Sequence, residues 1–133
     1  MNLYLDASAL VKRYVDEAGS DEVVMAMNAA DRWSMCRIGF VETVGAVARE
    51  GEPEDVARVE RDWIGFHVIE LDQLLAERAA TLVADHELRA LDAIHLAAAL
   101  DLSVEDRTVA TWDARLHRAA RERGLRTLPA ALI

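Results

Sequence analysis

The sequence predicts an α/β domain, with a short parallel sheet covered on both faces by helices. Short apolar runs alternate with longer stretches of helical periodicity along the chain, the pattern left by crossover connections between parallel strands. Two of those runs end on an aspartate, where open parallel sheets build their sites. The 133 residues are 53% hydrophobic and 29% charged, which suits one core and is too short for two. A single domain over residues 1–133 is the expectation.

Leu3-Tyr4-Leu5 is a short buried strand that stops at Asp6. A helix opens at Ala7, with Leu10, Val11 and Tyr14 on one face, and Gly19-Ser20 breaks it. Ser20 caps a second helix whose first turn carries Asp21 and Glu22, where the dipole favours acids. Trp33 to Cys36 is the second strand, and Ile38 to Glu50 a helix closed by Gly51. Pro53 suits the first turn of the next helix, along which Val56, Val59 and Trp63 recur at helical spacing. His67 to Leu71 is a third strand, followed by helices over Leu74 to His86 and Ala90 to Leu100. Thr108 to Trp112 is the fourth strand, Asp113 to Arg123 a helix stopped by Gly124, and Leu125 to Leu128 a last short strand.

Several function classes drop out early. The single cysteine, Cys36, has no partner for a disulfide or a zinc site, and its apolar neighbours predict a buried, inert thiol. The start, Met-Asn-Leu-Tyr-Leu-Asp, lacks the basic and apolar regions of a signal peptide. No apolar run is long enough to span a membrane, so a cytoplasmic protein is expected. The net charge of −9 opposes general binding to a polyanion, and any nuclease function has to account for it. Arg115, Arg118, Arg121 and Arg123 offer a local basic face, and arginine grips phosphate well.

Four acids stand out. Asp6 and Asp113 follow strands and would share one rim of the sheet; each serves equally as a helix cap. Glu42 and Asp92 lie inside apolar helices, Phe40-Val41-Glu42-Thr43-Val44 and Ala90-Leu91-Asp92-Ala93-Ile94. A buried, unpaired carboxylate is costly, so such acids are paired, protonated or metal-bound unless they lie on an exposed stripe. Arg89, three residues before Asp92, leaves a plain salt bridge open there. Together the acids suggest a Mg²⁺ site, with Mn²⁺ as a substitute, because these ions take hard oxygen ligands and keep several waters. Such a cage suits hydrolysis of a phosphodiester. Ser8 and Thr111 place hydroxyls beside Asp6 and Asp113, for a metal-bound water or a phosphate or simply for capping. His95 is read as a hydrogen-bonded core residue rather than a nucleophile or base.

Four segments carry a resemblance: Leu5-Asp6-Ala7-Ser8-Ala9-Leu10-Val11-Lys12, Phe40-Val41-Glu42, Leu91-Asp92-Ala93-Ile94-His95-Leu96-Ala97-Ala98-Ala99, and Thr111-Trp112-Asp113-Ala114-Arg115-Leu116. In this order and at these separations they resemble the PIN-domain family, in particular VapC-type toxins. The resemblance implies a three-layer α/β/α sandwich with a short parallel sheet and an acidic metal site. It implies an endoribonuclease acting on single-stranded RNA or exposed tRNA or rRNA loops. Asp6, Glu42, Asp92 and Asp113 fall on its four acidic positions, and Ser8 and Thr111 on its hydroxyl positions. It also implies a homodimer held silent by a cognate VapB-like antitoxin, for whose helix Val56, Val59 and Trp63 would form an apolar groove, unless they are core. Separately from the resemblance, Arg115 and Arg118 lie on the helix that starts at Asp113, where they hold substrate phosphate or form a solvated helix face.

Two rivals remain: a non-catalytic metal- or protein-binding module on the same fold, and a Mg²⁺-dependent phosphatase. The phosphatase of haloacid-dehalogenase type needs a second aspartate two residues after the first, where this chain has Ser8. A receiver domain needs a late lysine, and Lys12 is the chain's only one.

Overall fold

The computed structural model describes residues 1–103 and 105–132. Among them, five parallel strands form one sheet in the order β3-β2-β1-β4-β5: β1 Asn2–Leu5, β2 Arg32–Cys36, β3 His67–Ile69, β4 Arg107–Ala110 and β5 Arg126–Leu128. The first three strands step outward on one side of β1, and the chain then returns to lay β4 on its other side. This places the switch point of the sheet between β1 and β4. The crevice outside the carboxyl ends of a parallel sheet opens there.

The helices are α1 Ala7–Leu10, α2 Ser20–Ala29, α3 Arg37–Glu50, α4 Pro53–Trp63, α5 Gln73–His86, α6 Ala90–Leu100 and α7 Ala114–Glu122. Strand periodicity divides the core into two. Leu3 and Leu5 point to one face, with Leu10, Val23, Met27, Val47 and Val59 from the first four helices. Tyr4 points to the other, with Leu75, Leu82, Leu96 and Leu116 from the last three. The result is the expected three-layer α/β/α sandwich. A central strand is covered on both faces, which is why β1 is buried from end to end, with the Asn2 side chain accepting from the Ser34 hydroxyl.

Several details differ from the sequence expectations. The first helix tightens after one turn into a 3-10 turn over Val11–Arg13. Gly19, not Ser20, occupies the cap position of α2, at φ +92°, where glycine is favoured. A Cβ on Gly19 would lie 2.7 Å from the Trp112 ring, so the close approach also requires its absence. The hydroxyl of Ser20 instead accepts from the Glu17 N–H and donates to the Val15 carbonyl.

β4 ends at Ala110, because the Trp112 N–H is taken by the Ser8 hydroxyl at 2.9 Å rather than by a neighbouring strand. β3 ends at Ile69, and Asp72 caps α5 by accepting from the Leu75 N–H. Val59 is completely buried, and Val56 and Trp63 pack against the same core, where Trp63 stacks between Phe40 and Phe66. Val59 is core, and Val56 and Trp63 are partly buried against it, which favours the core reading of these three over a groove. Cys36 is a free, buried thiol whose pKa burial pushes up, as its surroundings predict. Among the described residues no helix is long and apolar enough to cross a membrane.

Candidate active site

Asp6 leaves the end of β1 with its N–H still on the Ala110 carbonyl of β4, so its carboxylate is carried straight into the crevice. One oxygen, Oδ1, accepts from the Ala9 N–H at 3.0 Å and from the Ser8 hydroxyl at 2.7 Å. The other, Oδ2, accepts from the Thr111 hydroxyl at 2.5 Å. Asp6 is therefore a helix cap and a rim acid at once. Burial raises its pKa, against the opposing pull of His95 and of the two hydroxyls. Desolvation outweighs the hydrogen bonds.

Thr111 reaches both rim aspartates. Its Oγ1 donates to Asp6 and accepts from the Asp113 N–H at 3.1 Å. Asp113 caps α7, accepting from the N–H groups of Arg115 and Leu116 on Oδ1, each at 3.0 Å. Its second oxygen, Oδ2, accepts from the Arg89 guanidinium at 3.0 Å. The same guanidinium reaches Asp92 Oδ2 at 3.4 Å. The salt bridge anticipated for Asp92 is present, and it extends to an acid on another helix.

Glu42 stands on α3 and is held by His95, whose Nε2 lies 2.7 Å from its Oε1. On the far side of the ring, Nδ1 lies 2.7 Å from the Tyr4 hydroxyl, which accepts from the Cys36 N–H. The Tyr4 hydroxyl is thus shared between the Cys36 N–H and His95 Nδ1, and His95 Nε2 faces Glu42. Burial lifts the Tyr4 pKa well above its ordinary value, so the hydroxyl keeps its proton. Gly39 makes room for the ring, since a Cβ there would lie 3.1 Å from His95 Cε1. His95 is thus the hydrogen-bonded core residue expected, with one bond made to a candidate site acid.

Beside Glu42 lies a cleft of about 510 Å³ lined by Ser8, Lys12, Gly45, Arg49 and Trp112 among others. Lys12 ties the 3-10 turn to the following loop through Glu17 and the Ala18 carbonyl, and sits over the Trp112 ring. Arg115 and Arg118 are exposed on α7 and do not line this cleft; Arg118 faces Glu122 at 3.7 Å. Arg121 donates to the Ala130 carbonyl and so anchors the C-terminal segment.

The donor set is all hard oxygen. As the side chains stand, no three His, Cys, Asp or Glu among the described residues are grouped to hold a metal ion. Each acid instead has a protein donor. One or two carboxylates with waters and a phosphate suffice for Mg²⁺, and Asp92 and Asp113 already share one cation. The residues fit such an ion by their chemistry.

Nothing in the sequence joins Tyr4, His95 and Arg89 to the acids as one network. Arg89 was visible at three residues from Asp92, but its link to Asp113 depends on the crossover that lays β4 beside β1.

Residues 3–122 match the family model of the PIN domain. The chain belongs to the PIN-domain family. Within it, Ribonuclease VapC45 of Mycobacterium tuberculosis is a relative at 35% identity over 139 aligned positions, spanning 98% of this chain and 96% of that protein. Among solved structures, VapC20 of Mycobacterium tuberculosis, a sarcin–ricin loop cleaving toxin, shares the fold. It matches at a TM-score of 0.75 and 13% identity, over 88% of this chain and 94% of the other. A toxin–antitoxin complex from Klebsiella pneumoniae matches at a TM-score of 0.67 and 19% identity, over 84% and 86% of the two chains.

Two outcomes follow from this geometry. Tyr4→Phe deprives the buried Cys36 N–H of its acceptor and frees His95 Nδ1. Urea denaturation should register a loss of about 1–3 kcal/mol, with the helical signal of the folded protein retained. For Asp6, the raised pKa means that the folded protein binds the proton more tightly than the unfolded chain. That stabilisation is complete below the ordinary value of 3.8 and is lost as pH rises through the folded value. Asp6→Asn keeps the cap and removes the buried charge. In metal-free buffer at neutral pH, its melting temperature should equal or exceed that of the unsubstituted protein.

Proposed function

We propose that this chain is a Mg²⁺-dependent endoribonuclease of VapC type, with Mn²⁺ able to substitute. In this proposal residues 1–133 form a single nuclease domain that acts in the cytoplasm as a homodimer. It hydrolyses phosphodiesters in tRNA, rRNA or mRNA loops and is restrained by a VapB-like antitoxin. Full-length similarity to proteins named ribonucleases supports the activity. Likeness in fold to a chain of a toxin–antitoxin complex supports the partner.

The observation that carries the proposal is the meeting of Asp92 and Asp113 on one guanidinium, with Asp6 joined to Asp113 through Thr111. Three acids from three separate elements are brought to one end of the sheet, although their mutual repulsion opposes it. Asp6, Asp92 and Asp113 are the carboxylates assigned to hold the ion, with Glu42 completing the set from across the crevice. When bound, the ion supplies a Lewis acid and an activated water. The protein contributes position. Ser8 and Thr111 fix the Asp6 carboxylate by hydroxyl donation, and Tyr4 and His95 fix the orientation of Glu42. Partial burial of the acids lowers the local dielectric and strengthens every charge interaction there.

Purified protein incubated with single-stranded oligoribonucleotides and Mg²⁺ should cleave them internally, and EDTA should abolish the cleavage. Asp6→Asn should lose both the cleavage and the Mg²⁺-induced rise in melting temperature. Release of phosphate from monoesters without RNA cleavage would favour the phosphatase, and metal binding without either activity the non-catalytic module. Arg115 and Arg118 are assigned to phosphates flanking the cut, because both are exposed on the helix that starts at Asp113. Replacing both with Gln should weaken RNA binding and flatten its dependence on salt concentration. An unaltered salt slope would remove them from the interface.

A further inference from the structure

Arg89 is a cation already paired with two of the candidate site acids. It occupies the cap position of α6, and its guanidinium spans Asp92 on that helix and Asp113 at the head of α7. Among the described residues, those two carboxylates are its only side-chain hydrogen-bond partners. Of the three groups, Arg89 is the open one, 65% exposed, against 12% for Asp92 and 23% for Asp113. Asp113 Oδ1 is committed to the N–H groups of α7, so Oδ2 is the oxygen it can offer outward. Arg89 holds that oxygen.

A divalent ion seated between Asp92 and Asp113 competes with Arg89 for both carboxylates, and at Asp113 for the same oxygen, Oδ2. The guanidinium and the ion cannot both have them, since two like charges would then share one site. A divalent ion neutralises both carboxylates, which leaves the Arg89 charge without a counter-ion at the mouth of the crevice. A guanidinium fork fits phosphate oxygens as well as it fits carboxylates. Its long stem and exposed head allow it to turn from one to the other while the α6 backbone stays in place.

We propose that Arg89 is a resident counter-ion, displaced from Asp92 and Asp113 by the divalent cation and then used to bind a phosphate of the RNA strand. This inference rests on the cation-dependent function proposed above. It assigns Arg89 two opposite effects: opposing the metal and favouring the nucleic acid. A fixed strut between the two helices would act differently. Without such a strut the acids would splay apart, and cation and RNA binding would weaken together.

The test uses the full chain, Arg89→Gln and Arg89→Lys, with Mn²⁺ titrated calorimetrically in the absence of RNA. Steady-state cleavage of a single-stranded oligoribonucleotide is then measured at saturating Mn²⁺. Arg89→Gln should tighten the Mn²⁺ Kd about three- to fivefold, the scale of a partly exposed ion pair. It should raise KM about tenfold, the scale of one charge-assisted contact, with a smaller change in kcat. Arg89→Lys keeps the charge without the fork and should fall between the two on both measures. It also carries the test if the Gln variant melts below the assay temperature. Mn²⁺ binding that is unchanged or weaker in both variants would overturn the exchange while leaving the nuclease function standing, and so would an unchanged KM. Absence of Mn²⁺ binding to the unsubstituted protein would overturn both.

Discussion

The carboxylate of Asp6 is the group on which the rest of this end of the molecule depends. It stands at the carboxyl end of the central strand and is buried there. An ionised acid in that position is tolerated only if donors surround it, and the donors come from two directions. Ser8 and the Ala9 N–H arrive from the helix that follows β1, and Thr111 from the end of β4. The requirement to satisfy one buried acid thus joins strand, helix and neighbouring strand at a single point. Thr111 passes the connection to Asp113, and Ser8 passes it to Trp112 through the N–H it accepts.

The remaining acids follow the same economy with different donors. Glu42 has partners in series, a histidine and behind it a tyrosine, which orient it. Asp92 and Asp113 have a full positive charge between them. This difference bears on the overall charge of −9, which had seemed at odds with an RNA substrate. The excess of acid is spread over the whole chain. At the crevice itself, Arg89 already sets one positive charge against two of the acids.

Much of the fold was legible because the sheet is parallel and buried. Its strands had to be short apolar runs and its crossovers helical, so both periodicities appear plainly in the sequence. Pro53 and Gly51 marked their helix ends for local reasons that tertiary contacts did not override. The boundaries that moved were those decided by distant residues. β4 stops early because of Ser8, and Gly19 takes the cap because Trp112 presses against it. The four acids were legible as unusual types in their settings, and Asp6 and Asp113 proved to be caps as well as rim acids. Their partners were not. Tyr4 is indistinguishable in the sequence from any other strand residue, and its bond to His95 joins positions 91 residues apart.

The bond between Asp6 and Thr111 joins positions 105 residues apart in a chain of 133. During synthesis, β1 and its aspartate are made well before the hydroxyl that holds that aspartate, because Thr111 lies 105 positions further along the chain. β1 is central and pairs with β4 on one side, so until then it also has an open edge. A growing chain can fold its early strands and helices as they appear, but the crevice stays unassembled. The bond that holds Asp6 is therefore denied to any copy that stops before residue 111. Premature termination before β4 would leave Asp6 beside one open edge of β1, where water rather than Thr111 satisfies it.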